Sequence, residues 1–203
     1  MIAVNSLLQP TKADVICLRT GISNSQQSRD DNCSCRKSKK SQMAASSKSA
    51  LFVCLGNICR SPIAEAVFRH VAKERGVLDE WNIDSAATDN LSSFGCVGSK
   101  PDRRAIQCMK DHNVEMDHRA RQVTLDDFRD FDYIFAMDNA NLNDLKDLAP
   151  KGSKAKVVLL GKYNPEGQTI IRDPYYDSNS QGFEEVYAQC VRCCNAFFDQ
   201  LSS

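Results

Sequence analysis

The sequence contains no apolar run of the length that a membrane-spanning helix needs, which is about 20 residues. Its first residues carry no hydrophobic segment followed by a small-residue cleavage site, so a secretory signal is not predicted. The first basic residue, Lys12, is followed closely by Asp14, which is unlike the Arg-rich, acid-poor presequences of mitochondrial proteins. We therefore expect a cytoplasmic protein without stable membrane insertion.

A second Cys or His pair at metal-ligand spacing, which a zinc site near the C-terminal cysteines would need, is also missing. The chain has 10 cysteines, but without a signal peptide we expect free thiols in a reducing compartment. Cys190 and Cys194 fall on the apolar stripe of a C-terminal helix and are expected to be buried, whereas Cys193 lies off that stripe. A zinc site from these three would need a second Cys or His pair. We predict no metal and no other cofactor.

A net charge is absent because 26 basic residues balance 26 acidic ones, but the charges are unevenly placed. Residues 1–48 hold eight basic and three acidic residues and are rich in Ser, Gln, Asn and Lys. This composition predicts a disordered basic extension before one folded domain over residues 49–203. Binding of a membrane or of nucleic acid by the basic run 36–40 is an alternative hypothesis. We favour a solvated, disordered segment. Met43 is a second potential start, and we predict no nucleic-acid partner.

Residues 50–62 join a short apolar run, a polar loop and the start of a helix. The apolar run predicts a strand buried on both faces of a parallel sheet, with Cys54 at its carboxyl end. Ser61 is expected to cap the helix, with Pro62 at the first helical position. The free N–H groups and the dipole of a helix N-terminus attract anions, so we expect phosphate here. A nucleotide-binding P-loop is excluded because its Gly-Lys-Ser/Thr ending is missing.

Two side chains make this anion site reactive. A helix N-terminus and a nearby Arg favour the thiolate of Cys54, which is the nucleophilic form. The planar fork of Arg60 suits two phosphoryl oxygens and stabilises developing charge. Gly56 allows close backbone approach to the ligand, and Asn57 tolerates left-handed geometry. The Ser61 hydroxyl is placed to donate to the Cys54 sulfur.

The pattern Cys54-x5-Arg60-Ser61 closely resembles the phosphate-binding loop of the low-molecular-weight protein tyrosine phosphatases. The sequence that follows it, residues 61–66, and the motif at residues 173–176 strengthen this resemblance, which runs from about residue 50 to 201. It implies a phosphatase that acts on phosphotyrosine proteins and small aryl phosphates through a phosphocysteine intermediate. The implied catalytic residues are Cys54, Arg60 and Asp173, within a loop that also contains Leu55, Gly56, Asn57, Ile58, Cys59 and Ser61.

The resemblance also implies how further residues support the reaction. Asp173, stiffened by Pro174, protonates the leaving oxygen and then activates water. Tyr175 and Tyr176 flank the cleft. His118 braces Asn57, and Ser85 is a further supporting residue. Residues 89–100, with Phe94 as their only aromatic, match the family poorly and form a longer loop, so substrate preference stays open.

Three other hypotheses concern the same loop. An arsenate reductase on this fold would need relay cysteines, and the segments around Cys96 and Cys108 do not resemble that relay. A non-catalytic phosphate-binding module would be expected to lack one of the catalytic residues, all of which are present. The arc of the loop predicts that peroxide links Cys54 to Cys59 reversibly. Weak self-association is left open.

The rest of the chain alternates predicted strands and helices. Further strands are expected at 81–88, 131–137 and 156–160, and helices after Pro101, after Asp138 and along the C-terminal stripe. Asn113 should end the first of these helices with a positive φ, and Ala105, Ile106, Cys108 and Met109 should face inward. This order predicts an α/β fold with helices on both faces of a parallel sheet. The resemblance implies four strands in a three-layer α/β/α, phosphotyrosine phosphatase I-like arrangement.

Overall fold

The computed structural model describes residues 47–89 and 97–202. The predicted basic extension and Phe94 therefore lie outside the described residues, apart from the last two residues of the extension. The elements follow in the order β1 Lys48–Cys54, α1 Arg60–Glu74, a 3₁₀ turn Leu78–Glu80, β2 Trp81–Ala87, α2 Arg103–Asp111, α3 Asp127–Asp130, β3 Tyr133–Ala136, α4 Asn139–Leu148, β4 Lys156–Leu159, a 3₁₀ turn Leu160–Tyr163 and α5 Gln181–Leu201.

The sheet has four strands in the order β2-β1-β3-β4, and all three pairings are parallel. The chain moves from β1 to one side to form β2 and then returns to the other side to form β3. The carboxyl end of β1 is therefore a topological switch point, which is where ligands bind in open α/β sheets. Cys54 is the last residue of β1 and pairs with Ala87 of β2. The predicted parallel α/β fold is confirmed.

Side chains alternate across β1, and each face has its own hydrophobic core. Phe52 packs with Phe68 of α1 and with residues of α5 on one face. Leu51 and Val53 pack on the other face with Leu145 of α4. Helices therefore cover both faces, and β1 is buried as a central strand must be.

Three local predictions were wrong. The first helix begins at Arg60 with Cys59 as its N-cap, so Ser61 is already helical and does not cap it, and Pro62 is the third helical residue and not the first. Ile106 points away from the core and is 38 % exposed. Cys193 is buried although it lies off the main stripe, because α5 packs both on α1 and on the 3₁₀ turn 160–163, which covers two of its sides.

Other details agree with the sequence patterns. Asn113 follows α2 with φ 56°, as its predicted role at a helix end requires. Asp138 caps α4 by accepting from the backbone N–H of Asn141 at 2.8 Å. Over the described ranges, no helix combines the length and the apolar character needed to cross a bilayer.

Candidate active site

The loop between β1 and α1 is folded around Asn57. This buried residue has φ 52°, in the left-handed region that Asn tolerates better than most residues. Its side-chain amide donates to the hydroxyls of Ser61 and Ser85, at 2.9 Å each. Its Oδ1 accepts from the backbone N–H of Arg121 at 2.9 Å. These bonds satisfy the buried amide and hold the loop in a tight arc.

A second layer of polar groups stands behind Asn57. The His118 Nε2 atom lies 3.2 Å from both the backbone oxygen and Oδ1 of Asn57, and its Nδ1 lies 3.2 Å from Glu65 Oε2. The Ser85 hydroxyl donates to the same Glu65 oxygen at 2.7 Å. Burial opposes ionisation of Glu65, but the hydrogen bonds from His118 and Ser85 outweigh it and hold the pKa of Glu65 below its ordinary value. This is the geometry expected for His118 and Ser85 as supporting residues.

The nucleophile candidate Cys54 lies at the base of the loop and is almost fully buried. Its sulfur is 3.1 Å from the Ser61 hydroxyl oxygen. Because that oxygen already accepts from Asn57, the Ser61 proton is available to the sulfur. Ser61 thus contacts the sulfur as the sequence predicted, from within the first turn of α1.

Arg60 is held between two carboxylates. Its Nη1 lies 2.5 Å from Asp138 Oδ2 and donates to the Ile171 carbonyl at 3.2 Å, while Nη2 lies 2.6 Å from Asp173 Oδ2. Burial disfavours the charge, yet Cys54, Asp138 and Asp173 together raise the pKa of Arg60 above its ordinary value. The guanidinium is therefore a fixed cation beside the Cys54 sulfur.

These groups meet at a small cavity of about 140 Å³ above the loop. Its base includes Cys54 and Arg60, and its wall includes Asp173. The exposed rings of Tyr175 and Tyr176 stand at its rim. A hollow of about 460 Å³ beside α1 is larger, but it contains none of the loop residues and no thiol. The small cavity brings together the Cys54 thiol, the Arg60 guanidinium and the Asp173 carboxyl group.

A family model described as low molecular weight phosphotyrosine protein phosphatase matches residues 49–203. The chain belongs to this family. The rat low molecular weight phosphotyrosine protein phosphatase is 56 % identical over 156 residues, which cover 76 % of this chain and 96 % of the relative. The confirmed family assignment favours a phosphatase over the arsenate reductase and over a non-catalytic module.

Solved structures agree with this assignment. The crystal structure of Primo-1 has a TM-score of 0.72 at 43 % identity and covers 77 % of this chain and 99 % of its own. A structure titled DARP, drosophila arginine phosphatase, has a TM-score of 0.70 at 40 % identity and covers 76 % of this chain and 98 % of its own. The low-molecular-weight phosphatase fold is thus shared with a protein named as an arginine phosphatase.

One residue that sequence reasoning missed holds residues 173–177 in place. We call these residues the acid segment, because they contain the candidate acid Asp173. Arg104, in the first turn of α2, donates to the carbonyl of Asp177 at 2.8 Å and to that of Tyr175 at 2.9 Å. Its side chain also pairs with Asp102 at 2.8 Å. The backbone N–H of Asp102 in turn donates to the Ile58 carbonyl of the phosphate loop at 2.8 Å. Arg104 therefore connects residues 173–177 to the loop that contains Cys54.

Asp138 and Glu65 were missed as site residues for a related reason. The sequence marked Asp138 as a helix cap, and nothing near it in sequence indicated a contact with Arg60. Glu65 belongs to the segment that supports the family resemblance, but its partners His118 and Ser85 are distant in sequence. For Glu65, the available signal was an acidic residue on the face of a helix whose other buried side chains are mostly apolar.

The cysteines of the described ranges are free and buried thiols, namely Cys54, Cys59, Cys108, Cys190, Cys193 and Cys194. Cys59 lies in the loop, and burial together with the neighbouring Cys54 raises its pKa well above the ordinary value. Cys108 instead packs against α5, with its sulfur 3.6 Å from the Phe183 carbonyl. Cys96, the other relay candidate for an arsenate reductase, lies outside the described residues.

Proposed function

We propose that the chain is a cysteine-dependent protein tyrosine phosphatase that hydrolyses phosphotyrosine and small aryl phosphates through a phosphocysteine at Cys54. The observation that carries the proposal is the meeting of Cys54, Arg60 and Asp173 at one cavity at the switch point of the sheet. Such a set supplies a nucleophile, a cation for the phosphoryl oxygens and a proton donor. The action is proposed to take place in the cytoplasm.

In the first step, the phosphate group enters the arc of the loop. The N–H groups at the start of α1 and the Arg60 guanidinium bind its oxygens. The Cys54 thiolate then attacks phosphorus opposite the leaving oxygen, so that the P–S bond forms as the P–O bond breaks. Because a tyrosine phenolate has a conjugate-acid pKa of about 10, Asp173 aids its departure by donating a proton.

The pair between Arg60 and Asp173 has to open for this step. Asp173 is about one-third exposed, so its carboxyl group can exchange protons with water. A bound phosphate supplies Arg60 with new acceptors, so Asp173 is released from its pair with Arg60. Substrate binding thus converts Asp173 from a partner of Arg60 into the proton donor.

In the second step, the Asp173 carboxylate takes a proton from a water molecule that attacks the phosphocysteine. The P–S bond breaks, and the Cys54 thiolate leaves with the Ser61 hydroxyl close to its sulfur. Inorganic phosphate then departs, and the enzyme returns to its starting state. Asp173 is therefore acid in one step and base in the next, as microscopic reversibility requires.

The rim of the cavity favours an aromatic substrate. Leu55 and Tyr175 are about half exposed, and Ile58 adds a further apolar surface inside. Aromatic and aliphatic side chains at this position suit a phenyl ring. Because a structural neighbour is titled an arginine phosphatase, the direct test compares kcat/KM for a phosphotyrosine peptide and for the matching phosphoarginine peptide. We expect a clear preference for phosphotyrosine, and a preference for phosphoarginine would overturn this part of the proposal.

Redox regulation is a further part of the proposal. Peroxide converts the Cys54 thiolate to a sulfenic acid and leaves hydroxide; the Cys59 thiol then attacks that sulfur and releases water as the disulfide forms. The raised pKa of Cys59 leaves it as a neutral thiol, so Cys54 is the cysteine that peroxide attacks first. The basic extension over residues 1–48 and weak self-association stay predictions of the sequence.

A further inference from the structure

A group of potential metal ligands lies between α2 and α5, outside the phosphatase site. Cys108 lies in α2, and His112 follows it by one helical turn as the C-cap, so both share one face. Glu184 lies in the first turn of α5. One ligand atom from each, the Cys sulfur, a ring nitrogen and a carboxylate oxygen, all lie within 4.8 Å of one another.

The two exposed members are already oriented toward each other. His112 Nε2 lies 2.7 Å from Glu184 Oε2. The imidazole stacks on the ring of Tyr187, with centroids 3.8 Å apart and planes 16° from parallel. Stacking fixes the direction of the ring nitrogen, as groups around metal-binding His residues commonly do. An exposed hydrogen bond of this kind contributes little to stability, so a metal ion that replaces it costs the fold little.

The third member is a buried thiol in a negative environment. Cys108 is only 2 % exposed. An oxygen of the Glu184 carboxylate lies within 4.8 Å of its sulfur. A divalent cation attracts a thiolate and a carboxylate together.

We propose that Cys108, His112 and Glu184 bind a zinc ion, with water completing the coordination. A thiolate, an imidazole and a carboxylate are all ligands that zinc accepts at tetrahedral sites. On binding, the S–H bond of Cys108 breaks, a Zn–S bond forms and the proton passes to solvent, with no electron transferred. The ion joins the end of α2 to the start of α5 and stabilises the folded state by mass action.

Cobalt(II) binding to the full-length chain, freed of metal by a chelator, tests the proposal. Cobalt reports the thiolate ligand directly through a sulfur-to-metal charge-transfer band, and zinc should remove the band by competition. We expect Cys108→Ser to abolish the band. The surface variants His112→Gln and Glu184→Gln should each weaken cobalt binding by about tenfold or more. These two variants replace exposed side chains and keep the test valid if Cys108→Ser folds poorly.

Matched controls separate this site from other ligands. His70 forms a similar exposed pair with Glu74 at 3.3 Å but has no described thiol near it, so His70→Gln should bind cobalt like the unchanged chain. Double replacement of Cys33 and Cys35 by Ser, and Cys54→Ser, should also leave the band. Zinc should raise the melting temperature of the unchanged chain and of His70→Gln but not of His112→Gln. If His112→Gln and Glu184→Gln bound cobalt as tightly as the unchanged chain does, or if the band were lost only with Cys33, Cys35 or Cys54, the proposal would be overturned.

Discussion

At the scale of single residues, Arg60 pairs with two carboxylates at the proposed phosphate site. Asp138 lies 2.5 Å from Nη1 and holds one edge of the guanidinium in place. Asp173 lies 2.6 Å from Nη2, where a phosphate oxygen can take over its hydrogen bond. Asp138 therefore positions the guanidinium, whereas Asp173 is the residue that we propose as acid and base.

The role of Asp173 predicts an effect that depends on the leaving group. Asp173→Ala should slow formation of the phosphoenzyme by roughly 10² to 10⁴ for aryl phosphates with poorly acidic phenols, because general acid catalysis contributes about this much. Acidic phenols leave without a proton and should lose much less. Rapid-mixing kinetics across a series of substituted phenyl phosphates measures this difference. Equal losses across the series would remove Asp173 from the role of the acid.

The presence of Cys59 in the same loop as Cys54 predicts how the enzyme responds to peroxide. The unchanged chain should lose activity in peroxide and regain it with dithiothreitol, because the Cys54 to Cys59 disulfide stops oxidation at a reversible stage. Cys59→Ser should recover far less, since its sulfenic acid proceeds to irreversible acids. Activity after reduction and mass spectrometry of the linked peptide provide the two readouts. Equal recovery in both proteins, without the linked peptide, would contradict the prediction.

At the scale of elements, the first turn of α2 connects the phosphate loop to the acid segment. Arg104→Ala removes the hydrogen bonds to the carbonyls of Tyr175 and Asp177. We expect kcat to fall more for poor leaving groups than for good ones, because the change acts through Asp173. KM should change little, since Arg104 does not line the cavity.

The neighbouring Arg103 provides a matched control for this experiment. It is exposed in the same turn of α2, so Arg103→Ala removes an equal charge without touching the acid segment. Its leaving-group dependence should match that of the unchanged enzyme. If Arg104→Ala lowered kcat equally for all leaving groups, the effect would be a general loss of structure and not a loss of acid placement.

Local sequence patterns were sufficient to predict some of the helices and strands, but not the contacts between distant segments. The short apolar run ending at Cys54, followed by a helix with Pro62 near its start, predicted the strand, the loop and the helix from local features alone. The Arg60 to Asp138 and Arg104 to Tyr175 contacts depend on tertiary packing between distant segments, and no local pattern encodes them. Local patterns also predicted Ser61 as a helix cap. They do not reveal its contact with Cys54, which forms only when the loop is folded.

At the scale of the whole molecule, the buried network behind the loop links stability to pH. The pKa of Glu65 lies below its ordinary value of 4.5 in the folded protein. Its contribution to stability is therefore present above that ordinary value, and it is lost as the pH falls through the lower folded-state pKa. The fold should lose this part of its stability only in acid.

Glu65→Gln tests this linkage. It should lower the free energy of unfolding at neutral pH by about 1 to 3 kcal/mol, because Ser85 and His118 lose a charged hydrogen-bond partner. It should also flatten the fall of stability below about pH 4.5. Urea unfolding at a series of pH values measures both effects, with the exposed Glu115→Gln as control. An unchanged acid slope in Glu65→Gln would show that Glu65 does not carry the linkage.

Trapping of the phosphoenzyme shows whether Cys54 forms a covalent bond to phosphorus. The enzyme is mixed with an aryl phosphate, denatured within the first turnovers and digested for mass spectrometry. We expect a phosphoryl group on the peptide that contains Cys54. Cys54→Ser should bind phosphate but show neither the adduct nor turnover, because a serine hydroxyl is far less ionised. Appreciable turnover by Cys54→Ser, or a phosphoryl group on another residue, would show that Cys54 is not the nucleophile.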